Sequence, residues 1–408
     1  MLNRRAFLAG VASHAWRGAQ ARAQEHTWLY ASVGSELLHY EVDVEGARLH
    51  RRSSIQLPAD VQYAWPHVSN HVLYVASSNG GPGRRGDRHQ VSAFQLDPAT
   101  GILEPQGAAV PLRSRPIHLT TDRRSDYLFI AYNDPSQLTS HRLFEDGRIG
   151  SEIPQPAPID AGVYAHQVRV MPSNAHAIVV ARGNDASAGR PEDPGALKVF
   201  TLRYGVLTPQ QSVAPGGGYG FGPRHLDFHP ATPWVYVSLE RQNQVCVFRW
   251  DGTSLSPEPV SRHGTLASAG RVGGRQLAGT IHVHPNGRYV YVANRADATL
   301  EADGTSRIAA GENTIAAYVV HAATGRLTAI QHVDTRGLHP RTFHIEPTGR
   351  LLVAANLRPL RVRDGAALRT IPASLVVFRI GTDGRLTYVR TYEIDVGSRA
   401  LFWMGMVP

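Results

Sequence analysis

The sequence predicts an all-β protein, a seven-bladed β-propeller of four-stranded antiparallel blades. Three observations predict it. A strand–turn–strand unit recurs along the chain, a second hairpin follows each copy, and strand-like segments at the two ends supply the parts that would close a ring.

The unit is plainest in GPRHLDFHPATPWVYVSLE, residues 222–240. A short strand opens on Arg224-His225, His229-Pro230 starts a polar turn, and the apolar run Trp234-Val235-Tyr236-Val237 leads to Glu240. Copies stand at 115–133, 165–183, 279–295 and 339–356, with a weaker one at 63–79. The second hairpins include HQVSAFQLDPATGILEPQ and SLVVFRIGTDGRLTYVRTY. Their turns, Asp97-Pro98-Ala99-Thr100-Gly101 and Thr382-Asp383-Gly384, carry the residues that tolerate positive φ. Six units fill 61–397 at a spacing of about 50–60 residues, somewhat longer than common propeller repeats. HTWLYASVGSELLHYEVD, 26–43, begins a seventh. After residue 24 no helical periodicity competes with this pattern.

Composition narrows the function. The chain has 408 residues, 42% of them hydrophobic and 18% charged, which suits one globular domain spanning 24–408. No run approaches the ~18 apolar residues of a membrane span. The net charge is +9, almost wholly from arginine; Lys198 is the only lysine. The arginines are scattered and form no stripe with stacking aromatics, which argues against nucleic-acid binding. The one cysteine, Cys246, sits in a strand-like run and reads as a small buried apolar residue. It allows no intrachain disulfide, and no Cys-x-x-Cys metal element exists.

The N-terminus, MLNRRAFLAGVASHAW, has paired arginines Arg4-Arg5, a short apolar stretch and then Ala21-Arg22-Ala23. It resembles a twin-arginine export signal covering 1–23, so the expected location is periplasmic or secreted, the alternative cytoplasmic. Asn3 and the polar or bulky His14, Trp16 and Arg17 depart from that pattern.

Blade geometry selects a face. The inner strand of a blade lines the channel and the second strand runs back beside it. The start of one and the end of the other therefore share one mouth. Arg224 and Glu240 meet there, so the carboxylate has a cation to pair with. The same reasoning brings the strand starts His118, His166, His282 and Arg341 to that face, with the strand ends Asn79, Asn133, Arg182, Asn294, Arg295 and Asn356. Long loops at 184–196, 296–313 and 357–373 also emerge there and are expected to wall the mouth.

At these residues the chain resembles the lactonase family of seven-bladed propellers, similar to bacterial 6-phosphogluconolactonase and fungal 3-carboxy-cis,cis-muconate lactonising enzyme. The resemblance covers about 61–397. It rests on Arg115-Pro116-Ile117-His118…Asn133, Gly222-Pro223-Arg224-His225…Glu240, Ile281-His282…Asn294-Arg295 and Pro340-Arg341…Asn356. It implies catalytic roles for His166, Arg224, Glu240 and Arg295. The expected substrate contacts are His118, Asn133, His282 and Arg341. The long loops and the export signal depart from the family, and the second puts a cytosolic sugar-phosphate substrate in question.

Lactone hydrolysis needs an activated water, a stabilised oxyanion and a proton for the leaving alkoxide. Glu240 or His166 is the candidate general base; His166 is favoured, because Glu240 beside arginines stays ionised and is a weak base, better suited to orienting water or an arginine. Arg224 and Arg295 suit the oxyanion or a substrate carboxylate. No G-x-S-x-G elbow supports a covalent route. Blander readings stand beside these. Glu240–Arg224 also reads as a structural ion pair, the less favoured of its two readings; His118 and His282 read as backbone-bonding strand residues, and His229 and His284 as turn residues. His282-x-His284 lacks a third ligand and Asp303-Gly304 lacks a calcium-loop pattern, so no metal and no cofactor are expected. The partner is a small-molecule lactone or organic acid; oligomeric state is left open. The rival functions are a cycloisomerase using the same site and a non-catalytic binding propeller.

Overall fold

The computed structural model describes residues 26–408 apart from 82, 269–274, 298, 301–305, 309–310 and 365–366. The export-signal reading of 1–23 therefore lies outside the described residues. The chain forms seven antiparallel blades arranged around a channel. Their inner strands follow one another around the ring: Asp60–Pro66, Pro116–Thr121, Ala165–Val170, Pro223–Phe228, Gln276–Val283, Pro340–Ile345 and Leu401–Val407. We number the blades 1 to 7 in that order.

Blade 7 closes the ring. Its inner strand is the C-terminal Leu401–Val407, and its outer three are the N-terminal Thr27–Val33, Glu36–Asp43 and Arg48–Gln56. The two chain ends pair antiparallel, with Trp28 opposite Val407 and Ala31 opposite Met404. Closure leaves no exposed inner edge, which is how a propeller avoids edge-to-edge aggregation.

The recurring sequence motif has a local cause. In blades 1 to 6 the residue that starts the first turn donates its backbone N–H five residues on, as in His229 N to Trp234 O and His284 N to Tyr289 O. In every one of these blades but blade 3, where Met171 holds the position, its side chain accepts from the turn's own amides. His229 Nδ1 takes Ala231 and Thr232 N–H at 3.1 and 3.0 Å, His284 Nδ1 takes Asn286 N–H, and Glu346 takes Thr348 N–H. These are polar residues at turn starts for the reason Asx-type turns use them: the backbone donors need acceptors. His284 Nε2 also lies 2.8 Å from Gly349 O, so both its nitrogens are engaged and it forms no metal pair with His282.

The second strand of each blade is buried along its length, as in Trp234–Leu239 and Leu351–Asn356. Its two faces pack against neighbouring blades. One core cluster joins Ile178, Val180 and Val199 of blade 3 to Val235, Val237, Cys246 and Phe248 of blade 4. Cys246 is fully buried, and burial pushes its thiol up to about 11, so it packs as an apolar group.

Two features were not legible in the sequence. The first is a β-bulge in every inner strand at the mouth end. Between Pro223 and His225 the register slips by one, leaving Arg224 as the extra residue. Equivalent breaks set apart Gln62, Ile117, His166 and Arg341 in blades 1, 2, 3 and 6. Blades 5 and 7 break beside Gly279 and Phe402. A bulge re-aims a side chain and raises the local twist. The second is an extra small sheet. The long loops of blades 5 and 6 form Thr299–Leu300, Ser306–Ile308, Leu360–Asp364 and Ala367–Ile371, joined across the blades by a parallel pairing of Arg307 with Arg361.

Candidate functional site: a buried arginine–glutamate cluster at the channel mouth

The mouth is built from two register positions. The bulge residues form one, and include His166, Arg224, Arg341 and Phe402. The other is the residue just beyond the partner of the pre-bulge position on the second strand. It is Asn133, Arg182, Glu240 and Arg295 on blades 2 to 5. Side chains from far apart in sequence therefore converge because the blades repeat one register.

Glu240 is the centre. Its Oε1 lies 2.9 Å from Arg224 Nε and 2.5 Å from Arg295 Nη2, and its Oε2 lies 2.9 Å from Arg182 Nη1. Blades 3, 4 and 5 thus each supply one arginine. Arg224 and Arg295 are 2% exposed, Glu240 5% and His166 7%. Burial opposes ionisation of Glu240, but the three guanidiniums outweigh it and hold the carboxyl well below the usual range. Arg182 is further fixed by stacking 4.1 Å over Tyr164. Arg295 also donates from Nη2 to Ala278 O.

His166 stands in this field. Burial first, then Arg224 and Arg182, push its pKa well below the ordinary value, with Glu240 opposing. It is therefore a neutral imidazole at neutral pH, and its Nδ1 is buried without a partner among the described residues. Arg341 differs from the other cations. No carboxylate lies within ion-pair distance of it among the described residues. Its guanidinium instead rests 3.7 Å over the Phe402 ring. Burial and the neighbouring Arg224 and Arg295 cations hold its pKa well below the usual arginine value, so its charge is held at a cost. Arg115 approaches the other side of this corner, donating to Gln62 Oε1 at 2.7 Å and standing 5.9 Å from the Phe402 ring.

The expected site residues separate into groups. His166, Arg224, Glu240, Arg295 and Arg341 come together. Asn133 occupies the mouth register on blade 2 and is buried. Asn294 and Asn356 are staples, bonding Thr265 O and Thr335 O. His118 sits one residue past its bulge. Its ring lies 4.0 Å from that of Tyr63, tilted by 40°, and meets His225, which in turn lies 5.1 Å from His166. This aromatic belt forms the floor under the mouth.

His282 requires a correction. It is the seventh of eight residues in Gln276–Val283, so it lies at the far end of the inner strand, away from Glu240. Its ring is 3.7 Å from Asp227 and 5.2 Å from His344. The offset from the turn would have shown this. Arg224, His166 and Arg341 stand five residues before their turn-start residues, whereas His282 stands two before His284. Sequence reasoning also left out Arg182 as a partner of Glu240, gave Arg115 no role at the site, and left out Phe402 altogether. Aligning strand ends across blades would have recovered the first; the bulges that place Phe402 leave no mark in composition.

Comparisons with known proteins agree with this architecture. Residues 29–362 match the family described as Lactonase, 7-bladed beta-propeller. The chain is 27% identical over 332 residues to 6-phosphogluconolactonase of Bacillus subtilis, covering 80% of this chain and 86% of that protein. It is 25% identical over 374 residues to 6-phosphogluconolactonase of Yersinia pestis, covering 90% and 94%. Among solved structures, the periplasmic gluconolactonase of Pseudomonas aeruginosa superimposes with a TM-score of 0.67 at 21% identity, covering 94% of this chain and 99% of that one. The chain belongs to the lactonase family of seven-bladed β-propellers.

Proposed function

We propose that this lactonase hydrolyses a lactone that carries an anionic group, of the 6-phosphogluconolactone class, at the Glu240 cluster. The observation that carries the reading is the charge imbalance there. One carboxylate is already met by three arginines, and Arg341 has no acid of its own among the described residues. A buried surplus of positive charge is stabilised by a ligand anion.

In this reading Arg341, seated on Phe402, holds the substrate's anionic group. The lactone carbonyl lies against Arg224 and Arg295, whose charge is in place before the oxyanion develops. Neutral His166 takes a proton from water as the water oxygen bonds to the carbonyl carbon. The tetrahedral species then breaks its ring C–O bond, and His166 returns the proton to the leaving alkoxide. Water and lactone give the hydroxy acid, with no covalent enzyme intermediate. Glu240 does not move a proton; it orients three guanidiniums. The curated relatives named 6-phosphogluconolactonase support the substrate class. We further propose that 1–23 is a twin-arginine export signal and that the enzyme works outside the cytoplasm, which favours an anionic sugar or organic-acid lactone available there.

The test is acid release in a pH-stat from 6-phosphogluconolactone, gluconolactone and a muconolactone, with product analysis to separate hydrolysis from cycloisomerisation. Turnover that Glu240→Gln and Arg224→Ala both lose is expected. Folded protein that turns over none of them, or variants as active as the wild type, would remove the proposal.

A further inference from the structure

Below the belt of Tyr63, His118 and His225, the channel widens into a cavity of about 200 Å³ at the end opposite Glu240. Its walls include the aromatic rings of Tyr63, Trp65, Phe343 and Trp403. Polar groups enter at intervals: Thr342, His225, and the imidazoles of His282 and His344. Thr342 is 9% exposed, and its Oγ1 is buried with no hydrogen-bond partner among the described residues. An unpartnered buried hydroxyl is unfavourable, so it marks a place where a ligand group fits.

The charge of this cavity is balanced. Arg169 Nη2 lies 3.0 Å from Asp227 Oδ1, and the same guanidinium stacks 5.1 Å over Trp65. Asp227 Oδ2 accepts Val283 N–H at 2.9 Å and faces His282. The arginine's charge is thus matched by Asp227, and no surplus charge here calls for a ligand anion or cation. The space exceeds the roughly 150 Å³ engineered cavity that admits benzene, so a six-membered ring fits.

We propose that this cavity is a second ligand site, separate from the Glu240 cluster, which takes a neutral polyhydroxylated six-membered ring such as an aldopyranose. The aromatic walls pack against the ring's C–H faces, and Thr342, His282 and His344 pair with its hydroxyls. The absence of surplus charge selects the neutral sugar over its acid.

The full chain is titrated with glucose, galactose and gluconate, reading tryptophan fluorescence and heat. Saturable binding of a neutral aldohexose is expected, with gluconate weaker. Thr342→Val, close in shape to the native side chain, is expected to weaken it about tenfold by removing the hydroxyl. Trp65→Ala is expected to abolish it, and Glu240→Gln to leave it intact. Thr342→Val is also expected to keep lactone turnover unchanged, which separates this site from the mouth. No saturable binding of either hexose, equal binding in Thr342→Val, gluconate binding as tight as glucose, or loss in Glu240→Gln would each overturn the proposal.

Discussion

Blade 4 carries two carboxylates, buried Glu240 and partly buried Asp227, one at each end of the channel, and both tie blades 3, 4 and 5 together. Asp227 does it with one arginine, Arg169, one backbone amide, Val283 N–H, and the His282 ring. Glu240 does it with three arginines. Burial opposes the charge of Asp227, and Arg169 with His282 more than restores it, so that acid too is held below its usual range. One arginine is therefore enough to hold a carboxylate and lock three blades. The two extra guanidiniums at Glu240, and Arg341 beyond them, do more than a structural tie requires. Structural networks are normally charge-matched because an unmatched buried charge is destabilising. A mismatch kept in a buried site favours an anionic ligand, as the proposed function requires.

Exchanging the two acids for their amides gives the largest test of this contrast. Glu240→Gln is expected to lower kcat/KM by about 10²–10³-fold, since the arginines it orients lose their alignment. It also leaves three buried cations facing a neutral amide, so a fall in stability of about 3–5 kcal/mol is expected in denaturant unfolding. Asp227→Asn is expected to lower stability while leaving kcat within about twofold, as a purely structural loss does. Equal loss of kcat in the two variants would make Glu240 no more functional than Asp227.

Next in size is Arg341. Arg341→Ala is expected to raise KM for a phosphorylated or carboxylated lactone by about tenfold to a hundredfold, the worth of a charge-assisted contact. The fold is expected to hold, because no acid is left unpaired. Steady-state kinetics on charged and neutral lactones give the comparison.

Acid titration separates histidines from carboxylates. Burial holds His118, His166 and His225 well below the ordinary value, so each stays neutral when folded. The unfolded chain binds their protons first. Stability is therefore expected to fall as pH drops below about 6.5, by up to ~1.4 kcal/mol per pH unit for each such group. Glu240 and Asp227 work in the other window. Their stabilisation is present above about pH 4 and is lost only as pH falls through their depressed folded values. Thermal unfolding from pH 7 to 4 checks this, and His225→Phe is expected to flatten the upper slope. On the same argument the acid limb of kcat/KM lies below pH 6.5, where His166 at last takes a proton.

The smallest expected effect is anion stabilisation. Phosphate in excess of its dissociation constant is expected to raise the unfolding free energy by about 1–3 kcal/mol through binding to the native state. Arg341→Ala is expected to remove that gain and Asp227→Asn to keep it. A gain that survives in Arg341→Ala would place the anion elsewhere.

The propeller was readable because its signal repeats. Copies such as 222–240 and 279–295 share apolar second strands and polar turn starts, and both follow from local bonding that every blade needs. Arg224 and Glu240 were readable as partners because a hairpin brings one strand's start to the other's end. Arg182 and Arg295 complete the cluster from neighbouring blades, a relation that depends on shared register across the ring. His282 was misplaced because similarity of residue type stood in for distance to the turn. The loop sheet pairing Arg307 with Arg361 was not legible at all, since each strand is too short to show a period and the pairing joins two blades.

The most direct measurement is the ratio of kcat/KM for 6-phosphogluconolactone to that for uncharged gluconolactone, in the wild type and in Arg341→Gln. If the unpaired arginine on Phe402 reads the substrate's anion, the ratio falls by about tenfold or more in the variant, with the neutral lactone little changed. An unchanged ratio would contradict the account, leaving the surplus of arginines around Glu240 without a ligand to explain it.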